Sequence, residues 1–134
     1  MIEEYLVFIE KIDDMIANKQ NDIEVLKEKA EGLSNGSDGD RVQSSSNQQK
    51  MAEAVAKYTD LEKEIERLKE SKKLFIERIE KLPRQYYKFM HDRYLKGLTP
   101  TEISRQEGRS ASWGSSTHAR AKIRLSKIMR GDKD

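Results

Sequence analysis

Two stretches of the chain carry apolar residues at alternating steps of three and four. The first runs Ile2, Tyr5, Ile9, Ile12, Ile16, Lys19, Ile23, Leu26, Ala30 and Leu33. The second runs Met51, Ala54, Tyr58, Leu61, Ile65, Leu68, Lys72, Phe75, Ile79 and Leu82. This spacing is the a/d seam of a heptad repeat and predicts two long helices, each with one narrow apolar stripe. Each seam holds one charged member, Lys19 or Lys72, and the positions between are mostly Glu, Lys, Asp and Arg. The seams are of equal length, about 48 Å at 1.5 Å per residue, and predict an antiparallel helical hairpin over residues 1–82. Pairing of the same stripes between two chains is the other arrangement the pattern allows. In the hairpin, Lys19 falls near Ile65 and Lys72 near Ile12, each weakening one layer and helping to fix the register.

The segment joining the two stripes is dense in Gly, Ser, Asn and Asp and predicts a loop over about residues 34–46, with fraying from Gly32. Ser46 followed by Gln49 forms a capping-box pattern at the start of the second helix. Asp38 and Asp40 stand at the loop tip. Paired carboxylates at the end of a coiled-coil arm could reach into another protein's channel, as in transcription factors of the Gre type, but Asp-Gly pairs are also ordinary turn residues.

Past Leu82 the pattern changes. Pro83 closes the second seam and suits the opening of a new helix, expected from Arg84 to Leu95. Its apolar side takes Tyr86 or Tyr87, Phe89 or Met90, and Tyr94, and Gly97 ends it. Thr99-Pro100-Thr101-Glu102 is a strong start signal, a cap closed by the glutamate with proline at the first helical position. The short helix it opens stops at Gly108, and Ser110 caps a longer helix running to about Arg130. A short helix, a turn containing glycine and a longer helix make a helix-turn-helix, so residues 83–134 are expected to form a small second domain. The expected fold class is therefore all-α, a long antiparallel two-helix coiled-coil arm followed by a small helix-turn-helix domain.

Charge sharpens this division. Residues 1–82 contain 14 Lys or Arg against 19 Asp or Glu, whereas residues 83–134 contain 12 against 5. The tail therefore carries an excess of seven positive charges inside a chain of net charge +2, which points to a polyanionic partner. Charged residues make up 37% and hydrophobic residues 35%, too polar for a thick core but suited to long striped helices. Cysteine is absent, which excludes disulfides and thiolate metal sites. His91 and His118 are far apart, and no Gly-rich phosphate loop or nucleophile motif occurs, so neither a metal, a cofactor nor an enzymatic activity is expected. No apolar run approaches the roughly 20 residues needed to span a bilayer, and the start Met1-Ile2-Glu3-Glu4 is unlike a signal peptide. A cytoplasmic protein with no membrane partner is the expectation.

Tyr94-Leu95-Lys96-Gly97-Leu98-Thr99, Glu102-Ile103, Gly108, Ser110 and Ala119-Arg120-Ala121 follow a spacing that resembles region 4 of the primary sigma factors, where a helix-turn-helix reads a promoter element. The segments Gly39–Ser45, Lys50-Met51-Ala52 and Ala54-Val55-Ala56-Lys57, with Tyr94-Leu95 and Trp113, resemble a family of small phage and prophage proteins of Gram-positive bacteria, similar to the ArpU and RinA late-gene regulators. The resemblance spans most of residues 30–125. It implies a sigma-region-4-like tail and groove-facing positions at Ala111, Ser112, Ser115 and Ser116, with Arg109 and His118 at the margins. Together with the basic residues of the last helix, the expected DNA-contacting set is Arg109, Ser110, Ser112, Ser115, Ser116, His118, Arg120, Lys122, Arg124 and Lys127.

The chain departs from that pattern at telling places. Glu107, Arg109 and Gly114 occupy positions where a helix-turn-helix usually places apolar residues, and Thr117 stands where an aliphatic residue is usual. Ile103, Leu98, Trp113 and Ile123 remain to pack the unit, which predicts a weak core that leans on the arm. Serine is a poor discriminator of bases, so phosphate contacts should dominate. Two functions follow. One is a DNA-binding transcriptional regulator of phage origin, its arm pairing protomers or contacting RNA polymerase. The other is a protein-interaction module, with a degenerate helix-turn-helix docked on RNA polymerase or another protein.

Overall fold

The computed structural model describes residues 2–35 and 45–131. Among the described residues the protein is all-α, with α1 (Ile2–Asn35), α2 (Ser45–Ile79), α3 (Arg84–Tyr94), α4 (Pro100–Gln106) and α5 (Ala111–Arg130). Two expected boundaries move. α1 continues through Ser34 to Asn35, past the expected fraying at Gly32, and α2 begins at Ser45, one residue before the expected cap Ser46. Asp38, Asp40 and the rest of residues 36–44 lie outside the described residues.

Contacts divide the chain into two compact units, one of Met1–Ile12 with Ser71–Asp134 and the other of Asp13–Glu70. This grouping differs from the division at residues 82 and 83 that the sequence pattern predicts. The ends of both long helices group with the tail.

In the unit Asp13–Glu70, Ile23, Ala54, Ile65 and Leu68 are buried, and Ile16, Leu26, Ala30, Met51, Tyr58 and Leu61 are half-buried. These are the stripe positions. Lys19, the charged member of the first stripe, donates from Nζ to Glu64 Oε1 at 2.9 Å. Lys27 lies 3.8 Å from Glu62 and stands over the Tyr58 ring at 5.4 Å. The partners on α2 fall in number as those on α1 rise, Glu64 for Lys19 and then Glu62 and Tyr58 for Lys27.

The other unit buries Leu6, Ile9 and Ile12 from α1 and Phe75, Ile79 and Leu82 from the second stripe. They lie with Tyr86, Phe89, Met90 and Tyr94 of α3, Ile103 of α4, and Ala121 and Leu125 of α5. Leu6 lies off the predicted stripe yet is buried, because this end of α1 faces more than one neighbour. Ring contacts run through the unit in a chain: Tyr5 to Phe75 (6.1 Å), Phe75 to Tyr94 (6.0 Å), Tyr94 to His118 (5.8 Å), His118 to Phe89 (5.4 Å) and Phe89 to Trp113 (6.2 Å). All lie in the centroid range where aromatic pairs attract. Arg93 on α3 reaches Glu10 on α1 at 3.3 Å, and Lys122 on α5 reaches Glu3 at 3.8 Å. No helix among the described residues is long and apolar enough to cross a membrane.

Candidate nucleic-acid interface

α4 and α5 are set by local signals. Thr99 accepts the Glu102 backbone N–H at 3.1 Å, and Glu102 accepts the Thr99 backbone N–H at 2.8 Å, so the reciprocal cap is complete. Hydrogen bonding from the Thr99 backbone N–H first, and then from the Thr99 side chain, holds the Glu102 carboxyl below its usual range. The chain then turns through Gly108, whose φ of +66° favours glycine, and Arg109 N–H donates to Ser104 C=O at 2.8 Å. Ser110 accepts the Trp113 N–H at 3.3 Å and lies 3.0 Å from the Ser112 hydroxyl. Of the expected contact set, Ser110 thus has a structural task at the start of α5.

Three of the four departures from the usual core pattern, Glu107, Arg109 and Gly114, meet a specific neighbour. Glu107 sits 2.7 Å from Lys88 on α3, and that carboxylate raises the lysine's pKa. Arg109 stacks over Trp113 at 5.7 Å, and Trp113 meets Phe89 edge-on at 69°. Gly114 is buried where α5 approaches α4: a Cβ there would collide with Ser104 Oγ and come within 2.6 Å of the Pro100 carbonyl oxygen. The glycine that seemed to deplete the core is thus what lets the two helices close. Thr117 is buried, as its position requires.

Ile123 corrects the sequence reading in the opposite direction. It was expected inside and is 58% exposed. Ala121 and Leu125 fill the interior on that part of α5.

His118 also changes role. Its Nε2 and the Tyr94 hydroxyl share a hydrogen bond at 2.7 Å, and its ring packs against Phe89 and Tyr94. Burial first, then the positive charges of Lys122 and Arg93, push its pKa down to about 4, while burial pushes Tyr94 up to about 12. At neutral pH the imidazole is uncharged and belongs to the packed unit, so it is no cation for a phosphate.

What remains outward is a continuous face of α5. Ser112, Ser116, Ala119, Ile123 and Lys127 are all exposed and recur at steps of four and three, with Ser115 and Arg120 exposed beside them. Lys122 and Arg124 flank this face and are half-buried, the first near Glu3 and the second over the Tyr86 ring at 5.2 Å. From Arg109 to Gly131 the sequence contains six Lys or Arg and no Asp or Glu. The face is therefore small and uncharged over its first turns and cationic after them. Among the described residues no group of three His, Asp or Glu side chains is placed to hold a metal ion.

Compared with family models, curated proteins and solved structures, the chain matches none.

Proposed function

We propose that this protein is a duplex-DNA-binding regulator whose tail works as a sigma-region-4-like helix-turn-helix, with α5 as the helix that enters the major groove. The single observation behind this reading is the outward face of α5, which carries no acidic residue, small side chains at its N-terminal end and exposed Arg120 and Lys127 beyond. Small side chains let a helix approach base edges, and cations beyond them neutralise the flanking phosphates. The close approach of α4 and α5 at Gly114 and the turn at Gly108 support a rigid two-helix reader. The two long helices act as a coiled-coil arm, available for RNA polymerase or a second protomer. The phage-regulator resemblance fits this reading, as does a role in binding rather than catalysis.

The test is a fluorescence-anisotropy titration of the full chain with pooled duplexes from upstream regions of the source genome, at two salt concentrations. Binding that weakens steeply as salt rises is the expected result. No binding at low salt would overturn the proposal and favour a protein-docking role for the same face.

A further inference from the structure

The first turns of α5 carry an unusual set of groups for a base reader. Along the outward line Ser112, Ser116, Ala119 and Ile123 there is no amide, carboxylate or guanidinium. Adenine is ordinarily read by a bidentate Asn or Gln, guanine by Arg or Lys, and cytosine by an acceptor such as Glu or Asp. The line from Ser112 to Ile123 itself has none of these, with Arg120 lying beside it. It offers serine hydroxyls, which pair with either a donor or an acceptor, and the methyl groups of Ala119 and Ile123. In the major groove the one apolar feature that rewards a methyl group is the 5-methyl of thymine.

Resting on the DNA-binding reading above, we infer that α5 selects thymine-rich duplexes by packing Ala119 and Ile123 against thymine 5-methyl groups. Two observations carry this. Ile123 is 58% exposed on a helix whose other large aliphatic residue at that level, Leu125, is fully buried. An isoleucine left in water gains by covering, and here it is flanked on its own face by Ala119, Arg120 and Lys127. An apolar group framed by cations matches a methyl framed by phosphates. Length agrees as well: Ser112 to Ile123 spans about 16 Å along the helix axis, matching roughly five base pairs. The serines accompany this contact without adding base selectivity, and Arg120 and Lys127 anchor the phosphates on either side.

The experiment compares three labelled duplexes of equal length with the full chain at low salt. One has mixed A·T sequence, one is the same sequence with uracil in place of every thymine, and one is G·C. Removing the 5-methyl groups should weaken binding by about fourfold for each methyl contacted. The Ile123→Ala variant alters an exposed residue and so folds normally. It should lose most of the thymine-over-uracil preference, which is the ratio the comparison reads. Equal affinity for thymine and uracil duplexes, or preference for G·C, overturns the inference while leaving DNA binding in place. Failure to bind any of the three overturns both.

Discussion

Gly114 of α5 lies so close to Ser104 of α4 that a single methyl group would not fit between them. The contact is made by a glycine and a small serine, and Ser104 Oγ is buried there without a hydrogen-bond partner among the described residues. This approach, more than any large core residue, sets how α4 and α5 sit together.

Gly114→Ala is therefore expected to destabilise the protein. The gain in helix propensity is about 1 kcal/mol, but overlap with the Pro100 carbonyl requires a backbone shift that costs about 1–3 kcal/mol. Ser104→Ala removes an unsatisfied hydroxyl from the same contact and should be neutral or stabilising by up to about 1 kcal/mol. Thermal unfolding of the two variants checks both; a Gly114→Ala protein more stable than the parent would refute the close-packing account.

The stripe of the long helices makes a second prediction. Ile65 is 4% exposed, and Ile65→Asp buries a carboxylate with no cation assigned to it, at a cost of about 3 kcal/mol or more. A circular-dichroism melt should show early loss of helix. An unchanged profile would mean that α1 and α2 do not depend on this seam.

The His118–Tyr94 pair links stability to pH. Folding lowers the histidine pKa from about 6.5 to about 4, so between those values the unfolded chain binds the extra proton. The contribution of His118 is thus fully present above pH 6.5 and fades as pH falls toward 4. The loss is on the order of 1 kcal/mol, held below the full shift because the ring is half-exposed and solvent screens it. His118→Gln should flatten this part of a stability-against-pH curve, followed by denaturant unfolding from pH 7.5 to 4.5.

Much of the helical layout is legible in the sequence because its signals are local. The stripe positions, the Thr99–Glu102 cap, the Ser110 cap and the turn at Gly108 each involve residues within four of one another. Partners distant in sequence are not legible in this way. Nothing near Glu107 announces Lys88 on α3, nothing near Gly114 announces the Pro100 carbonyl, and His118 looks like a surface residue until Tyr94 and Phe89 are placed beside it. Leu6 and Ile123 show the same limit from both sides. A heptad template leaves Leu6 outside the seam because it knows only one neighbour. An apolar count assigns Ile123 inward because it cannot see that Ala121 and Leu125 already fill the space. The serines at 112, 115 and 116 are exposed on α5, and the ring stacks of Arg109 and Arg124 are visible only in three dimensions.

The central claim is that the outward face of α5 meets duplex DNA, and the most direct measurement is the salt dependence of binding for the parent and for Arg120→Ala/Lys127→Ala. Both side chains are exposed, so the double variant should fold as the parent does. The plot of log affinity against log salt should lose about two units of slope, close to one for each phosphate contact removed. A parent that binds with the same slope as the double variant would place the DNA elsewhere on the protein and contradict the account.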